Sequence, residues 1–197
     1  GSDYESATGT LTFAADDTSE VVNVTINGDV FYENTETFAV DLSTPVNATI
    51  ADAQGIGTIT NDDTAPTLSI NDVSITEGNS GTSLLTFTVT RTGFTNLAAT
   101  FNWATADNTA LTADSDYVAG SNSGSIASDV NETATTTFTV TINGDTKFEL
   151  NDAFYANLSN AGNATISDAQ GVGTITNDDS APTITINDVS IVEGNSG

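Results

Sequence analysis

The chain of 197 residues carries 27 Asp and Glu against two Lys and Arg, and its formal net charge of −25 argues against nucleic acid and anionic membrane surfaces as partners. It contains no cysteine or histidine, which excludes disulfides, thiolate nucleophiles, imidazole bases and most zinc or copper sites. No stretch reaches the roughly 18 consecutive apolar residues of a membrane-spanning helix, so we expect no direct insertion into a membrane.

The elements in the first third of the chain recur later in the sequence. The stretch VTINGD at residues 24–29 reappears at residues 140–145, and NATIADAQGIGTITNDD at residues 47–63 reappears with two substitutions at residues 163–179. Both pairs are 116 positions apart (140 − 24 and 163 − 47), which indicates tandem repeats cut from a longer array. We expect residues 1–63 to be the C-terminal part of one repeat, residues 64–179 a complete repeat, and residues 180–197 the first strand of the next.

Apolar side chains within residues 64–179 alternate with Thr, Ser, Asn and Ala, which is typical of β-strands with one buried face. The alternation changes parity at Asn71 and Asp72, and this predicts a bulge or a strand that passes from one sheet to another. About seven strands separated by Gly, Asn and Asp predict an antiparallel β-sandwich. The predicted inward faces contain Leu68, Ile70, Val73, Ile75, Leu85, Phe87, Val89, Phe101, Trp103, Phe138, Val140, Ile142, Phe154, Ala156 and Leu158.

Carboxylates of the complete repeat follow the ends of the predicted strands. Because alternate strand ends meet at one pole of a sandwich, we expect these acids to converge there, where their mutual repulsion requires a cation. Calcium takes about six to eight oxygen ligands from flexible loops, whereas magnesium retains more water, so Ca²⁺ is the expected ion. Asp116, which precedes Tyr117, is instead expected to brace a turn. The candidate ligands are Glu77, Asp107, Asp145, Glu149, Asp152, Asp178 and Asp179.

Other interpretations of the acids stay open at this stage. They could form a solubilising surface, an adaptation to high salt, or the paired carboxylates of a glycosidase. The sequence contains no nucleophile–base pair and no phosphate-binding loop, and arrays of identical catalytic sites are rare. We therefore predict that the chain is not an enzyme.

Several stretches together resemble the Calx-beta domain. They are PTLSINDVSITEGNSGTSLLTFTVTRTG at residues 66–93, the SDY triplet at residues 115–117, and residues 143–179 with their closing NDD. The resemblance covers essentially the whole chain. It implies tandem seven-stranded Greek-key, immunoglobulin-like β-sandwiches with calcium bound at one pole. Similar repeats occur in large bacterial surface and secreted proteins, and related domains form the calcium-sensing region of sodium–calcium exchangers.

The resemblance also implies which acids bind the metal. Glu77 matches the glutamate after the first strand, and Asp107 matches the acid that precedes the Asp-Tyr pair. Asn177 stands where the family has a third terminal aspartate, which implies fewer ions or weaker binding. By the same match, the other ligands are Asp145, Glu149, Asp152, Asp178 and Asp179 in the complete repeat, Asp29, Glu33, Glu36, Asp62 and Asp63 in the preceding repeat, and Glu193 in the following one.

The linker Thr64-Ala65-Pro66 is too short and too stiff to act as a flexible tether, so calcium on Asp62 and Asp63 would fix the angle between repeats. We therefore expect a calcium-binding structural repeat of a long extracellular protein of the adhesin-stalk, filament or surface-layer type. Its expected partners are neighbouring repeats and, in a filament or layer, identical chains. A glycan- or surface-binding adhesion module and a calcium-responsive regulatory module are the alternatives.

Overall fold

The computed structural model describes residues 3–196; Gly1, Ser2 and Gly197, which fall in the first and last predicted segments, lie outside the described residues. The described chain is all-β, and none of it forms a helix long and apolar enough to cross a membrane. Its strands in chain order are β1 (Glu36–Asp41), β2 (Gln54–Ile59), β3 (Thr67–Ile70), β4 (Val73–Thr76), β5 (Thr82–Thr92), β6 (Ala99–Asp107), β7 (Ser121–Ile126), β8 (Thr133–Asn143), β9 (Asp152–Gly162), β10 (Thr165–Ile166) and β11 (Gln170–Thr176).

Strands β3 to β11 form a β-sandwich, which confirms the predicted fold class. One sheet has the strand order β10-β3-β5-β8, and the other has the order β4-β11-β9-β6-β7. The long central pairs β5–β8 and β6–β9 are antiparallel, whereas the edge pairs β4–β11 and β10–β3 are parallel. Because most neighbours in the sheets are not consecutive in sequence, the strands must cross between the two layers, as in a Greek key.

The core lies between the two sheets and is built from the predicted inward faces. Phe87 and Phe154 are fully buried and meet edge to face, with their ring centroids 6.0 Å apart. Tyr117 stacks on Phe154 at 4.4 Å, and Trp103 stacks on Phe138 at 4.1 Å. Burying a large apolar side chain contributes about 1.5–3 kcal/mol, and a well-placed ring pair adds about 0.5–1.5 kcal/mol. These rings therefore stabilise the contact between the sheets.

The parity change at Asn71 and Asp72 is the point at which the first strand passes between the two sheets. β3 belongs to the four-stranded sheet and β4 to the five-stranded sheet, so the predicted change of sheet is confirmed. The side chain of Asn71 accepts a hydrogen bond from Thr88 N at 2.7 Å in the first sheet, and that of Asp72 accepts one from Val172 N at 2.7 Å in the second. Two adjacent polar side chains thus satisfy backbone donors on opposite layers.

Residues 3–63 contain the antiparallel pair β1–β2 but no counterparts of β3, β5 and β6. Tyr4 stacks on Phe38 with ring centroids 4.9 Å apart, in the same way as Tyr117 stacks on Phe154. Phe38 and Val40 on the apolar face are only half-buried, whereas their counterparts Phe154 and Ala156 are fully buried. The apolar face of this small sheet is therefore only partly covered.

Residues 180–196 follow β11 without forming a strand. Ile184 and Ile186, which correspond to the buried Leu68 and Ile70 of β3, are 97% and 96% exposed. β3 is held by β5 and β10, and a strand of this kind needs such partners to form. That residues 180–197 are the first strand of a further repeat stays a prediction.

Candidate cation site at one end of the sandwich

Three carboxylates come together where β4 and β11 end. These two strands are parallel and in register from Val73↔Gly173 to Thr76↔Thr176, so their carboxyl ends lie at the same end of the sandwich. Glu77 follows β4 and Asp178 and Asp179 follow β11, and one carboxylate oxygen of each lies within 4.8 Å of the others. The parallel pairing thus brings together acids that are about a hundred residues apart in the sequence.

Glu77 is the most buried of these acids, with 7% of its surface exposed. Its Oε1 atom and the Oδ2 atom of Asp179 are buried and accept no hydrogen bond within the described structure. Burial, together with the charges of Asp145, Glu149, Asp179 and Asp178, raises the pKa of Glu77 to about 7. Burial also raises the pKa of Asp179. Without a cation, the cluster is therefore electrostatically unfavourable in its charged form.

The loop after β8 reaches this cluster because two glycine-containing turns approach each other closely. A Cβ on Gly144 would lie 2.2 Å from Gly78 O and 2.7 Å from Glu77 O, so only glycine fits there. Gly144 N also donates a hydrogen bond to Gly81 O at 3.0 Å. This contact sets Asp145 beside Glu77. The Glu-Gly and Asn-Gly-Asp motifs indicated the two turns in the sequence, but they did not predict that the turns contact each other.

Asn177 fastens the acidic loop to the end of β11. Its Oδ1 accepts a hydrogen bond from Glu149 N at 3.2 Å, and its Nδ2 donates to Asp179 O at 3.0 Å. Asp145 Oδ1 accepts from Lys147 N at 2.7 Å, which closes a tight turn in the same loop. The sequence indicated only that Asn177 replaces an aspartate, and it did not predict these hydrogen bonds. The same asparagine recurs at Asn61, and this recurrence could have indicated a structural role.

Asp107 lies at the end of β6 and has other partners. Its Oδ1 accepts hydrogen bonds from Tyr117 Oη at 2.6 Å and from Thr112 N at 3.2 Å, and these bonds lower its pKa. Asp116 Oδ2 accepts from Leu111 N at 2.7 Å and braces the turn, as expected. Asp107 is thus not among the three acids that the structure brings together, and its predicted role as a metal ligand stays a prediction.

The remaining candidate ligands are distributed over three places. Asp152 is half-buried at the start of β9. In residues 3–63, Asp29 Oδ1 accepts from Phe31 N at 2.8 Å, and Glu36 lies beside Asp3, which raises its pKa. Within residues 3–196, the acids that do not join the three-carboxylate group include Asp29, Glu33, Glu36, Asp62, Asp63, Asp145, Glu149, Asp152 and Glu193. Glu193 is exposed in the stretch after β11.

The clamp made by Asn177 is repeated in the preceding repeat. Asn61 Oδ1 accepts from Glu33 N at 3.0 Å, and Asn61 Nδ2 donates to Asp63 O at 3.0 Å. The same local sequence therefore forms the same loop twice. The first copy has no counterpart of Glu77, because residues 3–63 contain no counterpart of β3 and β4.

Comparison with a solved structure shows the same fold. A structure titled as the apo-form Calx CBD1 domain has a TM-score of 0.50 and 22% identity, and it aligns over its whole length with 59% of this chain. CBD12 from CALX1.2 aligns with a TM-score of 0.49 and 23% identity, over 57% of this chain and 46% of its own. No curated protein sequence matches the chain. The model of the Calx-beta domain matches residues 1–65 and again residues 60–190, so the chain belongs to the Calx-beta domain family.

Proposed function

We propose that the chain binds calcium at the end of the sandwich where Glu77, Asp178 and Asp179 meet. The observation that carries this proposal is the buried carboxylate of Glu77, whose Oε1 accepts no hydrogen bond from residues 3–196 and which lies together with two further acids. Calcium is bound by several carboxylate oxygens from flexible loops, which is the donor set present here. An ion at this position would supply the positive charge that the cluster lacks.

The two basic side chains of the protein do not neutralise the acids around Glu77. Arg91 is fully buried near the far end of β5, where its Nη2 donates to Asn131 O at 2.8 Å. Lys147 forms an ion pair with Glu149, but two thirds of the lysine side chain remain in solvent. A surface ion pair of this kind contributes little, because solvent screens it. Glu77 and the four acids that raise its pKa thus keep a large excess of negative charge.

We further propose that the domain is a structural repeat of a long extracellular protein and does no chemistry of its own. The repeated sequence supports this role, because each copy carries the same acidic loop and the same closing NDD. Neighbouring repeats would be its partners, and identical chains could add to them in a filament or layer. Extracellular calcium modules typically bind with dissociation constants of about 10⁻⁴–10⁻³ M, which suits a permanently calcium-rich environment.

Calorimetric titration of the full chain with calcium, combined with thermal unfolding in calcium and in excess chelator, tests the proposal. At about 100 times the dissociation constant, calcium should stabilise the folded chain by about 2.7 kcal/mol. Glu77→Gln keeps the size of the side chain and removes the buried charge, so it should weaken binding at least tenfold. Asp168→Asn is the matched control, because it removes one acid at the other end of β11.

Two outcomes would contradict the proposal. If calcium and chelator gave the same unfolding curve at low ionic strength, the acids would form only a solubilising surface. If Asp168→Asn weakened calcium binding as much as Glu77→Gln, the effect would depend on net charge and not on a site.

A further inference from the structure

The acidic loop of the preceding repeat contacts the complete repeat directly. We call residues 29–33 the tip loop and residues 93–96 the receiving loop. Tyr32 N donates a hydrogen bond to Phe94 O at 3.1 Å, and Asn96 N donates to Tyr32 O at 3.3 Å. The ring of Phe31 meets the ring of Phe94 edge to face, with centroids 5.6 Å apart. The two loops thus form a short parallel bridge between Tyr32 and Thr95.

Thr95 shows that the receiving loop is shaped for this contact. The residue is fully buried, and its Oγ1 donates a hydrogen bond to Tyr32 O at 2.9 Å. Thr95 Oγ1 also accepts from Leu97 N at 3.0 Å, which holds the loop in its turn. A buried hydroxyl needs a hydrogen-bond partner, and the nearer of its two acceptors here belongs to the preceding repeat, while the other, Leu97 O, lies at 3.4 Å.

The end of the linker is anchored on the same loop. Pro66 is fully buried, and a Cβ on Gly93 would lie 2.9 Å from Pro66 Cα, so the proline packs directly on the glycine. Gly93 has a φ of 120°, a conformation that other residues rarely adopt. The linker and the tip loop therefore hold the receiving loop from two sides, as a defined joint requires.

The complete repeat presents the corresponding tip loop on its own surface. Lys147, Phe148 and Glu149 occupy the positions of Phe31, Tyr32 and Glu33 after a shift of 116 residues. Phe148 is 45% exposed and the neighbouring Leu150 is 79% exposed.

The bonds to the receiving loop come mainly from the backbone of residue 32, so a phenylalanine in place of the tyrosine preserves them. Glu33 Oε1, which accepts from Asn96 Nδ2, has Glu149 as its counterpart. Lys147 in place of Phe31 could still lie over a phenylalanine ring as a cation.

We propose that the tip loop and the receiving loop are the head-to-tail docking surfaces of successive repeats, and that residues 147–149 dock the receiving loop of a further copy of this repeat. We name a repeat as the occupant because the tip loop at residues 29–33 is followed by a complete repeat in this chain. That tip loop contacts the receiving loop of the complete repeat. The proposal rests on the proposed structural function for its biological setting. It does not depend on the metal, because the backbone and Thr95 make most of the contacts.

Engineered cysteines test the first half of the proposal in the full chain, which has no cysteine of its own. Phe31→Cys with Phe94→Cys places two thiols where the rings now touch, and a short bifunctional thiol reagent should join them within one molecule. The control pair is Val46→Cys with Phe94→Cys, because exposed Val46 lies beyond the opposite end of β1. Equal cross-linking rates for the two pairs would overturn the docking of the tip loop.

Hydrogen exchange at Tyr32 N, which belongs to the preceding repeat, provides a second readout of the contact between the two loops. Thr95→Val removes the hydroxyl donor to Tyr32 O, and loss of one hydrogen bond should speed exchange of the Tyr32 amide about fivefold. Leu97 N reports on the receiving loop itself, whereas Tyr32 N belongs to the other repeat. Thr92→Val, an exposed threonine just before the loop, is the control. A Tyr32 amide that exchanged in the parent chain at the rate of an unprotected amide would contradict the joint.

The second half of the proposal requires an extended chain. A copy of residues 82–179 added after Gly197 would continue residues 180–197, which correspond to residues 64–81, into a second complete repeat. Lys147→Cys should then cross-link with a cysteine at the added position that corresponds to Phe94, several-fold faster than Val118→Cys does. If both pairs reacted at the same rate, residues 147–149 would not dock a repeat, and the proposal would be overturned.

Each cross-linking experiment is run in calcium and in excess chelator. The docked pair should react faster than its control in both conditions, with calcium raising the rate further. Cross-linking in chelator together with a failed calcium titration would contradict the proposed calcium site and support the joint. Calcium binding without cross-linking above the control would support the calcium site and contradict the joint.

Discussion

Residues 24–63 and residues 140–179 have closely related sequences and form the same local contacts, but their apolar side chains differ in burial. In both copies an aspartate closes the tight turn of the acidic loop, and an asparagine joins that loop to the closing acids. Ile26 is 45% exposed, whereas its counterpart Ile142 is fully buried. Local sequence therefore determines the turns and clamps, but burial depends on strands that come from elsewhere in the chain.

The two copies also differ at the acidic end. Asp178 and Asp179 meet Glu77, whereas Asp62 and Asp63 belong to a copy in which the strand that would carry such a glutamate is absent from residues 3–63. The closing acids are thus only part of the three-carboxylate group. The other part, Glu77, follows β4 in the same repeat, so the proposed calcium site depends on the parallel pairing of β4 with β11.

Removing the matching phenylalanine from each copy should produce the largest contrast. Phe154→Ala deletes a fully buried ring that contacts Tyr117 and Phe87, and it should destabilise the complete repeat by about 3–5 kcal/mol. Phe38→Ala removes a half-buried ring in the other copy and should shift the same transition by less than about 0.5 kcal/mol. Denaturant unfolding followed by the fluorescence of Trp103, the single tryptophan, measures both. Equal shifts would mean that the two copies unfold as one unit.

The sequence was sufficient to predict the sandwich and its inward faces, because alternation with a period of two reports burial directly. The change of sheet at Asn71 and Asp72 was predictable for the same reason. The hydrogen bond between Asp107 and Tyr117 was not, because side chains ten residues apart meet there only after the loop has folded. Nor was the contact of Tyr32 with Thr95, since it joins two repeats through backbone atoms that carry no sequence signature.

The pH dependence that Glu77 gives to metal-free stability should be the second-largest effect, and residues 3–63 contain no counterpart of Glu77. The ordinary pKa of a glutamate is 4.5, and that of Glu77 is raised to about 7. Between these values the folded chain holds a proton that the unfolded chain has released, so stability falls as the pH rises through this window. The fall should reach up to about 3 kcal/mol at pH 8 in chelator.

Glu77→Gln isolates this effect from the other acids. The variant should match the parent near pH 5, where Glu77 is protonated, and exceed it near pH 8 in chelator. Denaturant unfolding at the two pH values measures both differences. Calcium should abolish the advantage of the variant, because an ion on Glu77 favours its charged form. A parent and variant with parallel pH profiles would show that Glu77 titrates normally.

Breaking the asparagine clamp should have a smaller effect. Asn177→Ala removes an acceptor for Glu149 N and a donor to Asp179 O, and it should destabilise the complete repeat by about 1–2 kcal/mol while weakening calcium binding. Asn61→Ala makes the same change in the other copy and should leave the unfolding of the Trp103 repeat unchanged. Asn177→Asp keeps an acceptor and adds a carboxylate, so it should bind calcium more tightly than the parent. If alanine at 177 had no effect on calcium binding, the clamp would be unimportant for the acidic loop.

The joint between successive repeats should show the smallest effect in free energy. There, the shape of the array should change while each sandwich keeps its stability. In an array of three or more repeats, calcium should draw the closing acids onto the site, so that the linker leaves the sandwich in a fixed direction. Small-angle scattering should show a rod whose maximum dimension falls, and whose spread widens, when chelator is added. Asp178→Asn with Asp179→Asn should loosen one joint even in saturating calcium, because the linker that follows loses its anchor.

The docking of residues 147–149 limits this loosening, since its backbone contacts do not require the metal. Thr95→Val introduced into the following repeat should therefore deepen the loss of extension in the double variant more than it does in the parent. An array that stayed fully extended with both changes would show that neither the acids nor the loop contact sets the angle, and that the proline-stiffened linker alone does.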